Sequence, residues 1–535
     1  MSSRRNIVNI FAHMDLRYLT RVLYLCVFFL AIALQTLQAQ SVVTKSLNFG
    51  NVTTGDEESI SLRMHLGKSK LLKVSVRVFG DGFSVKKTTH TLQRGVDSSI
   101  TIYFSPEQNL AYNGEVFIGV DGIWNLRADL TGKGRLSNSY YASTYNLWDK
   151  DLMEELESIT SKGQTSLGYN SARDEMYGDL DNYSGKVTCA YTGRVATFNS
   201  RSGANNNSFN CEHTWPQSKF CSSESSFMKA DIHHLFATDV NSNSRRGSYP
   251  FGKVTGSVTW QEGGSKLGGG IFEPRDEQKG ATARSVLYMV MRYGDCSSFL
   301  GSQESTLRSW ANSTPPSTKE VNRNKGIYSL QKNRNPFVDV PEFVDRIFSF
   351  KGNQTRTLEA KAVAVDTLLW ARREADSLVY YAYIVNTGTS DFEIRNVSGD
   401  FDNYSTSATT AAPGEAVRIR MAVKKMGAGN EVVVSFKQGY LSDIKLMLDF
   451  TIGVDELKTA PSVPTPLIQL VNGTVERNRA IEGDIYISVS TLNGTQLFSG
   501  KLEEQIDLNA WNNHQVLILR ARNQGFHHSQ AVLLR

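Results

Sequence analysis

Four residues in the middle of the sequence have side chains suited to one hydrolytic reaction. Glu212 and His213 are neighbours, so in an extended segment their side chains leave opposite faces and can serve different tasks. The carboxylate suits a hard cation, and the imidazole suits proton transfer near neutral pH. Further along the chain, Asn243 offers an amide oxygen to a cation such as Mg²⁺, and Arg246 offers a guanidinium fork to a phosphate. A base, a cation site and an anion clamp are the parts needed to hydrolyse a phosphodiester.

Five sequence blocks around these residues resemble the endonuclease I family, which consists of secreted nucleases with a ββα-metal (His-Me finger) site. The blocks occur in the family's order and read NCEHTWPQS, ADIHHLFATD, NSRRGSYPFG, FEPRDEQKGATARSVLYM and NRNPFVDVPE. Five blocks in the right order are far more specific than one motif. The resemblance covers residues 137–350, a stretch of ordinary domain size.

The resemblance implies a role for each of the four residues. His213 is the general base that takes a proton from water. Glu212 and Asn243 hold a single Mg²⁺ ion, with Mn²⁺ or Ca²⁺ as substitutes. Arg246 either contacts phosphate or orders the site.

The activity implied by the resemblance is that of an exported, Mg²⁺-dependent endonuclease. We expect it to hydrolyse DNA, with RNA as a second candidate substrate, and to leave 5′-phosphates. Because contacts to the phosphate backbone carry no sequence information, low sequence specificity is expected. Arg245 and Arg284 are further candidates for binding substrate, and no stable protein partner is expected.

Three alternatives stay open at this point. Asn241 competes with Asn243 for the role of cation ligand. Asp231, His233 and His234 could belong to a zinc hydrolase, although adjacent histidines point apart and a buried hydrogen-bonding role is the simpler interpretation. The flanking β-rich segments favour a surface adhesion or nucleic-acid-binding protein with an inactive nuclease fold. Retention of the base together with both cation ligands argues against that alternative.

Length and charge bound the class of protein. A chain of 535 residues is too long for one core, and 40% hydrophobic with 21% charged residues is typical of folded proteins. The net charge is +5, and residues 182–338 carry 19 Lys and Arg against 11 Asp and Glu. A basic face there would attract a polyanion, although a mixed, solvated surface gives the same count.

The sequence divides into five segments. Residues 1–40 have a basic flank, a short apolar run and a small-residue cleavage site, which predict a signal peptide and export. Residues 41–136 and 351–455 have strand alternation and turn signals typical of β-sandwiches, and resemble immunoglobulin-like domains. Residues 137–350 are the predicted α+β nuclease domain with a ββα-metal core, so the fold class is multidomain. Residues 456–535 resemble a linker and a C-terminal sorting domain of the type IX secretion pathway, which makes the export machinery an expected partner.

Within the nuclease segment, the pattern predicts where the site elements lie. We expect both strands of the ββα unit in residues 197–215 and its helix in residues 238–246. The Asn-rich residues 202–208 are predicted to form a surface loop. One face of Asp276–Tyr293 is apolar at helical spacing, which predicts the longest helix of the domain.

Four cysteines lie in the nuclease segment, and export makes disulfides the expected state. They are Cys189, Cys211, Cys221 and Cys296. Two disulfides are predicted, and the three possible pairings stay open. Zinc binding by the four thiols is the alternative, and the lack of any CxxC pair disfavours it.

Overall fold

The computed structural model describes residues 41–452, apart from 43, 66–70, 94–96, 121, 353, 355, 375–376 and 424–429, together with the strands between residues 468 and 533. The predicted signal peptide at residues 1–40 lies outside the described residues. No helix in the described part of the chain has the length and apolar character needed to cross a membrane.

The first β region, residues 41–135, contains two sheets over one hydrophobic core. Side chains alternate along its strands, so Leu62 and Met64 are buried while Arg63 between them is exposed. The strands described here are β1 (Ser41–Val42), β2 (Ser46–Thr53), β3 (Glu58–His65), β4 (Leu71–Phe79), β5 (Phe83–Ser84), β6 (Thr89–Gln93), β7 (Asp97–Phe104), β8 (Ala111–Val120) and β9 (Ile123–Arg135). Their sheet orders are β1-β3-β7-β5 and β2-β9-β8-β4-β6.

The middle region is mixed α and β, as expected for the predicted nuclease domain. Its described helices are α1 (Asp149–Ser161), α2 (Tyr169–Glu175), α3 (Arg201–Asn206), α4 (Ser225–Ala230), α5 (Val240–Arg246), α6 (Asp276–Tyr293), α7 (Glu304–Ser313), α8 (Thr318–Gln331), α9 (Pro336–Asp339) and α10 (Phe343–Arg346). Its described strands are β10 (Asn182–Tyr183), β11 (Lys186–Thr188), β12 (Val195–Thr197), β13 (Phe209–His213), β14 (Leu235–Asp239), β15 (Val258–Glu262), β16 (Ser265–Gly268) and β17 (Ile271–Glu273). Short 3₁₀ segments lie at Ser139–Thr144, Gln217–Lys219 and Ile232–His234, and a π-helical turn lies at Met176–Leu180.

Helix α6 has the predicted bounds and forms the centre of this region. Side chains at all its positions from Thr282 to Tyr293 are buried, including two arginines, so the helix runs through the core. It packs against α1, α7 and α9. The arginines must therefore find partners inside the protein, because a buried unpaired charge is costly.

The prediction of both central strands in residues 197–215 was wrong. Strand β13 lies there, but its antiparallel partner is β14, which comes after a long insertion. Strand β12 pairs with β11 instead. The predicted loop at residues 202–208 was also wrong, because α3 forms there with the Ser200 hydroxyl capping the amide of Gly203.

The described strands of the second β region form one sheet. They are β18 (Ala362–Ala364), β19 (Leu368–Glu374), β20 (Ser377–Asn386), β21 (Phe392–Gly399), β22 (Asn403–Thr406), β23 (Thr410–Ala411), β24 (Ala416–Val423), β25 (Glu431–Phe436) and β26 (Ile444–Ile452) among the described residues. The order is β22-β24-β20-β19-β26-β25-β21-β23, with β18 on β20. This region packs directly on the first β region through a shared cluster that includes Phe117, Trp124 and Tyr383.

The C-terminal region adds two small sheets. The described strands are β27 (Ile468–Val471), β28 (Thr474–Arg477), β29 (Ile485–Thr491), β30 (Gln496–Leu502), β31 (Gln505–Asp507), β32 (Val516–Asn523) and β33 (Phe526–Leu533). They pair in the orders β27-β28-β31 and β30-β29-β32-β33. The sorting role expected for this region stays a prediction.

Candidate active site

The site is built on two antiparallel strands and the short helix that follows them. Strands β13 and β14 pair in register from Phe209↔Asp239 to His213↔Leu235. Asp239 ends β14 and caps α5, since its carboxylate accepts from the amide of Ser242 at 2.8 Å. Gly247 ends the helix with a φ of 54°, a conformation that favours glycine. Helix α5 is thus fixed at both ends beside β13.

Alternation along β13 separates the two proposed functional side chains. Asn210 and Glu212 face α5, because Asn210 bonds Asn243 and Glu212 contacts Arg246. His213 faces the other way, toward α2 and α4. The strand therefore gives the carboxylate and the imidazole different surroundings, as the sequence predicted.

The ring of His213 is held in one orientation and one tautomer. Its Nε2 lies 3.1 Å from the backbone carbonyl of Lys229, and a carbonyl can only accept, so Nε2 carries the proton. Nδ1 is left with a lone pair, and the amide nitrogen of Gln217 lies 3.4 Å away. The side chain is 6% exposed, and this burial, with His234 nearby, lowers the pKa of His213 well below its usual value. A neutral imidazole with Nδ1 as acceptor has the form required of a general base.

Glu212 is a buried carboxylate whose two side-chain partners both contact Oε1. The Tyr191 hydroxyl donates to Oε1 at 2.6 Å, and Arg246 Nε lies 3.2 Å from the same oxygen. Desolvation raises the pKa of Glu212, although Arg246 and Tyr191 oppose that shift. Both side-chain donors contact Oε1, and a backbone hydrogen bond from His213 also favours the ionised carboxylate. A desolvated carboxylate with no side-chain donor on Oε2 is suited to a cation.

Arg246 does not face solvent, so the predicted phosphate contact was wrong and the ordering role is supported. Its side chain is 1% exposed. Nη1 donates to the carbonyls of His213 and Gly247, and Nη2 donates to the carbonyl of Thr214. The guanidinium also stacks on Phe251. Arg246 therefore fixes the end of β13 and the carboxylate of Glu212 at the same time.

Asn243 is oriented by its amide nitrogen. Nδ2 donates to Asn210 Oδ1 at 2.9 Å and to the carbonyl of Cys211 at 3.3 Å. Both partners are acceptors, so the assignment places Oδ1 on the opposite side, where it can accept or bind a cation. Asn241, the competing candidate, is exposed, and its amide reaches Glu262 at 3.4 Å. The geometry favours Asn243.

The donors present fit a hard cation. Glu212 offers a carboxylate oxygen that no side chain contacts, and Asn243 offers an amide oxygen from the helix face next to β13. Mg²⁺ is bound in this way, by one or two protein oxygens, with waters and phosphate oxygens filling the other positions. No group of three or more His, Cys, Asp or Glu side chains in the described chain is arranged as a metal site. The donor set therefore fits a hydrated Mg²⁺ better than a zinc ion.

Asp231, His233 and His234 form an internal hydrogen-bond network. Asp231 accepts from Tyr288 at 2.7 Å and from Tyr293 at 2.8 Å. His233 Nε2 bonds a backbone carbonyl, as does His234 Nε2, and burial lowers the pKa of His234 to about 4. These contacts support the buried hydrogen-bonding interpretation over a zinc site.

Two other predicted substrate residues differ in position. Arg284 is 1% exposed and donates to both oxygens of Glu320 at 2.7 Å, so the expectation that it binds substrate was wrong. Arg245 is exposed on α5, and its role stays a prediction. Since Arg292 and Arg323 are buried as well, part of the positive charge counted in this region is internal.

The cysteines form one disulfide where two were predicted. Cys221 is bonded to Cys296, while Cys189 and Cys211 are buried free thiols. Cys189 Sγ lies 3.0 Å from Asp239, so it serves the cap of α5. Burial raises the pKa of the Cys211 thiol to about 12.

Sequence reasoning missed several supporting residues. Tyr191 holds Glu212, Asn210 holds Asn243, and the backbone of Lys229 holds His213. Gln217 had a signal, since it belongs to the EHTWPQS block. Tyr191 had none, because its contact with Glu212 depends on how distant segments pack.

Comparisons with known proteins agree on one kind of enzyme. A family model described as Endonuclease I matches residues 133–342. The Extracellular ribonuclease of Bacillus subtilis (strain 168) is 32% identical over 231 residues, which are 40% of this chain and 79% of that protein. The Extracellular ribonuclease of Bacillus amyloliquefaciens is 33% identical over 231 residues, covering 40% of this chain and 78% of that protein. The Periplasmic deoxyribonuclease of Aeromonas hydrophila is 30% identical over 123 residues, covering 22% of this chain and 51% of that protein.

Proposed function

This chain belongs to the endonuclease I family and is a nuclease, and from that premise we propose that it is an exported, Mg²⁺-dependent endonuclease acting on DNA and RNA with low sequence specificity. The names of the relatives support action on both RNA and DNA. The two longer matches are to ribonucleases, and a shorter match is to a deoxyribonuclease. An enzyme that reads mainly the phosphate backbone needs few contacts with bases.

The observation that carries the proposal is the 3.1 Å contact between Nε2 of His213 and the backbone carbonyl of Lys229. Because Nε2 donates to the carbonyl of Lys229, Nδ1 is the atom that accepts a proton. Water between Nδ1 and a phosphate would lose its proton to the imidazole as it attacks phosphorus. Such general base catalysis contributes about 10²–10⁴-fold to a rate.

Glu212 and Asn243 would hold the Mg²⁺ ion. When bound, the ion supplies positive charge that stabilises the leaving 3′ oxygen. Tyr191 and Arg246 keep Glu212 in place for this role. Glu212 and His213 are adjacent at the end of β13, so the proposed base and one proposed cation ligand lie at the same end of this strand.

Export is part of the proposal. The relatives are named as extracellular or periplasmic proteins. The signal sequence predicted at residues 1–40 and the disulfide between Cys221 and Cys296 suit an oxidising compartment. We assign residues 456–535 to sorting by the type IX pathway, and the two β regions to immunoglobulin-like spacers beside the nuclease.

The test compares cleavage of supercoiled plasmid and of single-stranded RNA by the purified chain, in Mg²⁺ and in EDTA. His213→Ala is the variant, and its folding is checked by circular dichroism. The proposal expects Mg²⁺-dependent cleavage of both substrates that His213→Ala abolishes. Lys325→Gln, an exposed change on α8, should cleave like the parent.

Two results would overturn the proposal. If His213→Ala cuts as fast as the parent, the imidazole is not the base. If the parent binds nucleic acid without cutting it, the middle region is a binding module. Cleavage of one substrate only would narrow the proposal to that substrate.

A further inference from the structure

The burial of Arg246 leaves no assigned cation to bind the substrate's phosphate beside the base. Two other cations, Arg173 and Lys229, lie close to His213. His213 is in contact with the ring of Tyr169, at a centroid distance of 5.2 Å and an interplanar angle of 37°. Tyr169 begins α2, and the two cations also lie over its ring.

The two cations on the Tyr169 ring are Arg173 and Lys229. Arg173 Cζ lies 4.3 Å from the ring centroid, and Lys229 Nζ lies 5.1 Å from it. Arg173 comes one helical turn after Tyr169 on α2, whereas Lys229 belongs to α4. Two separate elements thus bring a positive charge to one aromatic ring, next to the proposed base.

Neither cation is neutralised by the protein. Within the described residues, no ion pair joins Arg173 or Lys229 to a carboxylate. Arg173 donates from Nη2 to Asn170 at 2.7 Å, but its Nε is buried without a hydrogen-bond partner. A buried donor without an acceptor costs free energy unless a ligand satisfies it. The remaining donors of Arg173 and the exposed ammonium of Lys229 have the chemistry to bind an anion.

We propose that Arg173 and Lys229, gathered on the ring of Tyr169, bind a backbone phosphate of the nucleic acid beside His213. The proposal rests on the proposed function and deepens it, because it assigns the substrate's anion to a site that Arg246 does not provide. The guanidinium fork can bond two phosphate oxygens, while the ammonium adds a mobile point charge. Tyr169 holds both cations through its π face, so their charges stay close to the base when the site is empty.

The geometry also favours a phosphate over a nucleobase as the group bound here. His213 and two cations already contact the Tyr169 ring, so a nucleobase would compete with them for stacking. A nucleic acid presents a phosphate at every nucleotide, so a strand that places one phosphate at His213 brings its neighbours near α2 and α4. Two uncompensated cations at this point match that repeating charge.

The experiment measures cleavage and binding for Arg173→Gln and Lys229→Gln, with Lys325→Gln as the matched loss of one positive charge elsewhere. Lys229→Gln keeps the backbone carbonyl that holds His213. Binding of a fluorescent single-stranded oligonucleotide is measured by anisotropy in EDTA, at salt concentrations from about 50 to 200 mM. Arg173→Lys tests partial rescue, and thermal melting confirms that every variant is folded.

We expect Arg173→Gln to lower kcat/KM about tenfold or more, and Lys229→Gln to lower it less, since charge-assisted hydrogen bonds exceed contacts of a mobile ammonium. Arg173→Gln and Lys229→Gln should each bind the oligonucleotide more weakly than the parent. In each, the slope of log Kd against log salt should be reduced by about one. Arg173→Lys should regain part of the affinity. A merely structural role for Arg173 would not change the salt slope.

Two outcomes contradict the inference while leaving the proposed function intact. If the parent cuts in Mg²⁺ but Arg173→Gln and Lys229→Gln match Lys325→Gln in kcat/KM and salt slope, these cations do not bind phosphate. If only melting temperature changes, Arg173 is a packing residue. Failure of the parent itself to cut nucleic acid would instead overturn the proposed function.

Discussion

At the scale of single residues, Arg246 controls the site from inside the protein. Its guanidinium holds the carbonyls of His213 and Thr214, so the end of β13 depends on it. Its Nε also lies next to Glu212 Oε1, where the positive charge favours the ionised carboxylate. We therefore propose that Arg246 is a positioning residue for the proposed base, His213, and the proposed cation ligand, Glu212.

Replacing Arg246 should affect turnover more than substrate affinity. For Arg246→Gln we expect kcat to fall about tenfold to hundredfold with little change in KM, because a 1 Å displacement of catalytic groups costs about that much. The free energy of unfolding should fall by roughly 3–5 kcal/mol, since a buried carboxylate loses its partner. Steady-state kinetics and urea unfolding measure the two effects separately.

Arg346→Gln is the matched control for Arg246→Gln. Arg346 is also fully buried and also donates to backbone carbonyls, those of Thr144 and Leu147. Its Nη1 donates to Asn109, which joins the middle region to the first β region. Its loss should lower stability without lowering kcat of the folded enzyme. Equal losses of kcat in both variants would mean that Arg246 acts only through stability.

The sequence singled out the central residues, and their proposed chemistry stays a prediction, while their surroundings could not be predicted. Glu212, His213 and Asn243 have the side chains that the reaction needs, and they stand in a dense motif. The direction in which Arg246 points was not predictable, because three carbonyls reached only after folding compete with a phosphate for its donors. The cations on Tyr169 were missed for the same reason, since α2 and α4 meet only in the tertiary structure.

At the scale of elements, local signals succeeded and long-range pairing failed. Helix α6 has the predicted bounds because its periodicity and the glycine after Tyr293 are local properties. The partner of β13 was misassigned, because a strand pairs with whichever segment tertiary packing supplies, and here β14 follows an insertion of two short helical segments and α4. The second predicted disulfide is absent because tertiary packing also decides which cysteines meet. Cys189 and Cys211 are buried as free thiols.

The disulfide joins that insertion to the loop after α6. Cys221 lies between β13 and α4, and Cys296 follows the end of α6, at a sequence separation of 75 residues. Closing a loop of this length removes conformational entropy from the unfolded chain, which stabilises the fold by about 2–4 kcal/mol. The bond also lies close to the segment that carries Gln217, near Nδ1 of His213.

A thiol count tests this arrangement. In the native chain without reductant, we expect almost no reaction with a thiol reagent, because burial raises the pKa of Cys211 and also encloses Cys189. After unfolding in denaturant, the processed chain without its first 40 residues should react at both of these thiols, and reduction should release the other two. Cys221→Ser with Cys296→Ser should melt several degrees lower. Finding all four thiols oxidised after unfolding would contradict the single disulfide.

At the scale of the whole molecule, the two β regions that flank the nuclease in sequence contact each other in space. Trp124 donates to Asp366 at 3.0 Å, and the rings of Phe117 and Tyr383 lie 4.9 Å apart. Glu115 Oε1 accepts from the backbone amide of Ala416 at 3.0 Å. Residues far apart in sequence therefore form an interface between the two β regions. The stability of this interface should depend on the charge of Glu115.

The titration of Glu115 predicts how this closure depends on pH. Its burial raises the pKa from the usual 4.5 to about 7, although Arg127 opposes that shift. Between these values the folded chain holds a proton that the unfolded chain has released, so stability falls as pH rises through this window. The loss is at most ~3 kcal/mol for a shift of this size. Above about pH 7 both states are ionised, and this dependence ends.

Calorimetric melting at a series of pH values checks this prediction with Glu115→Gln. The side-chain amide of this variant cannot ionise but can still accept from the backbone amide of Ala416. As pH rises between the two pKa values, the melting temperature of the variant should therefore fall less than that of the parent. Glu154→Gln, an exposed change on α1, should follow the parent because surface ion pairs contribute little. If Glu115→Gln and the parent have the same pH dependence, the charge of Glu115 does not govern the contact between the β regions.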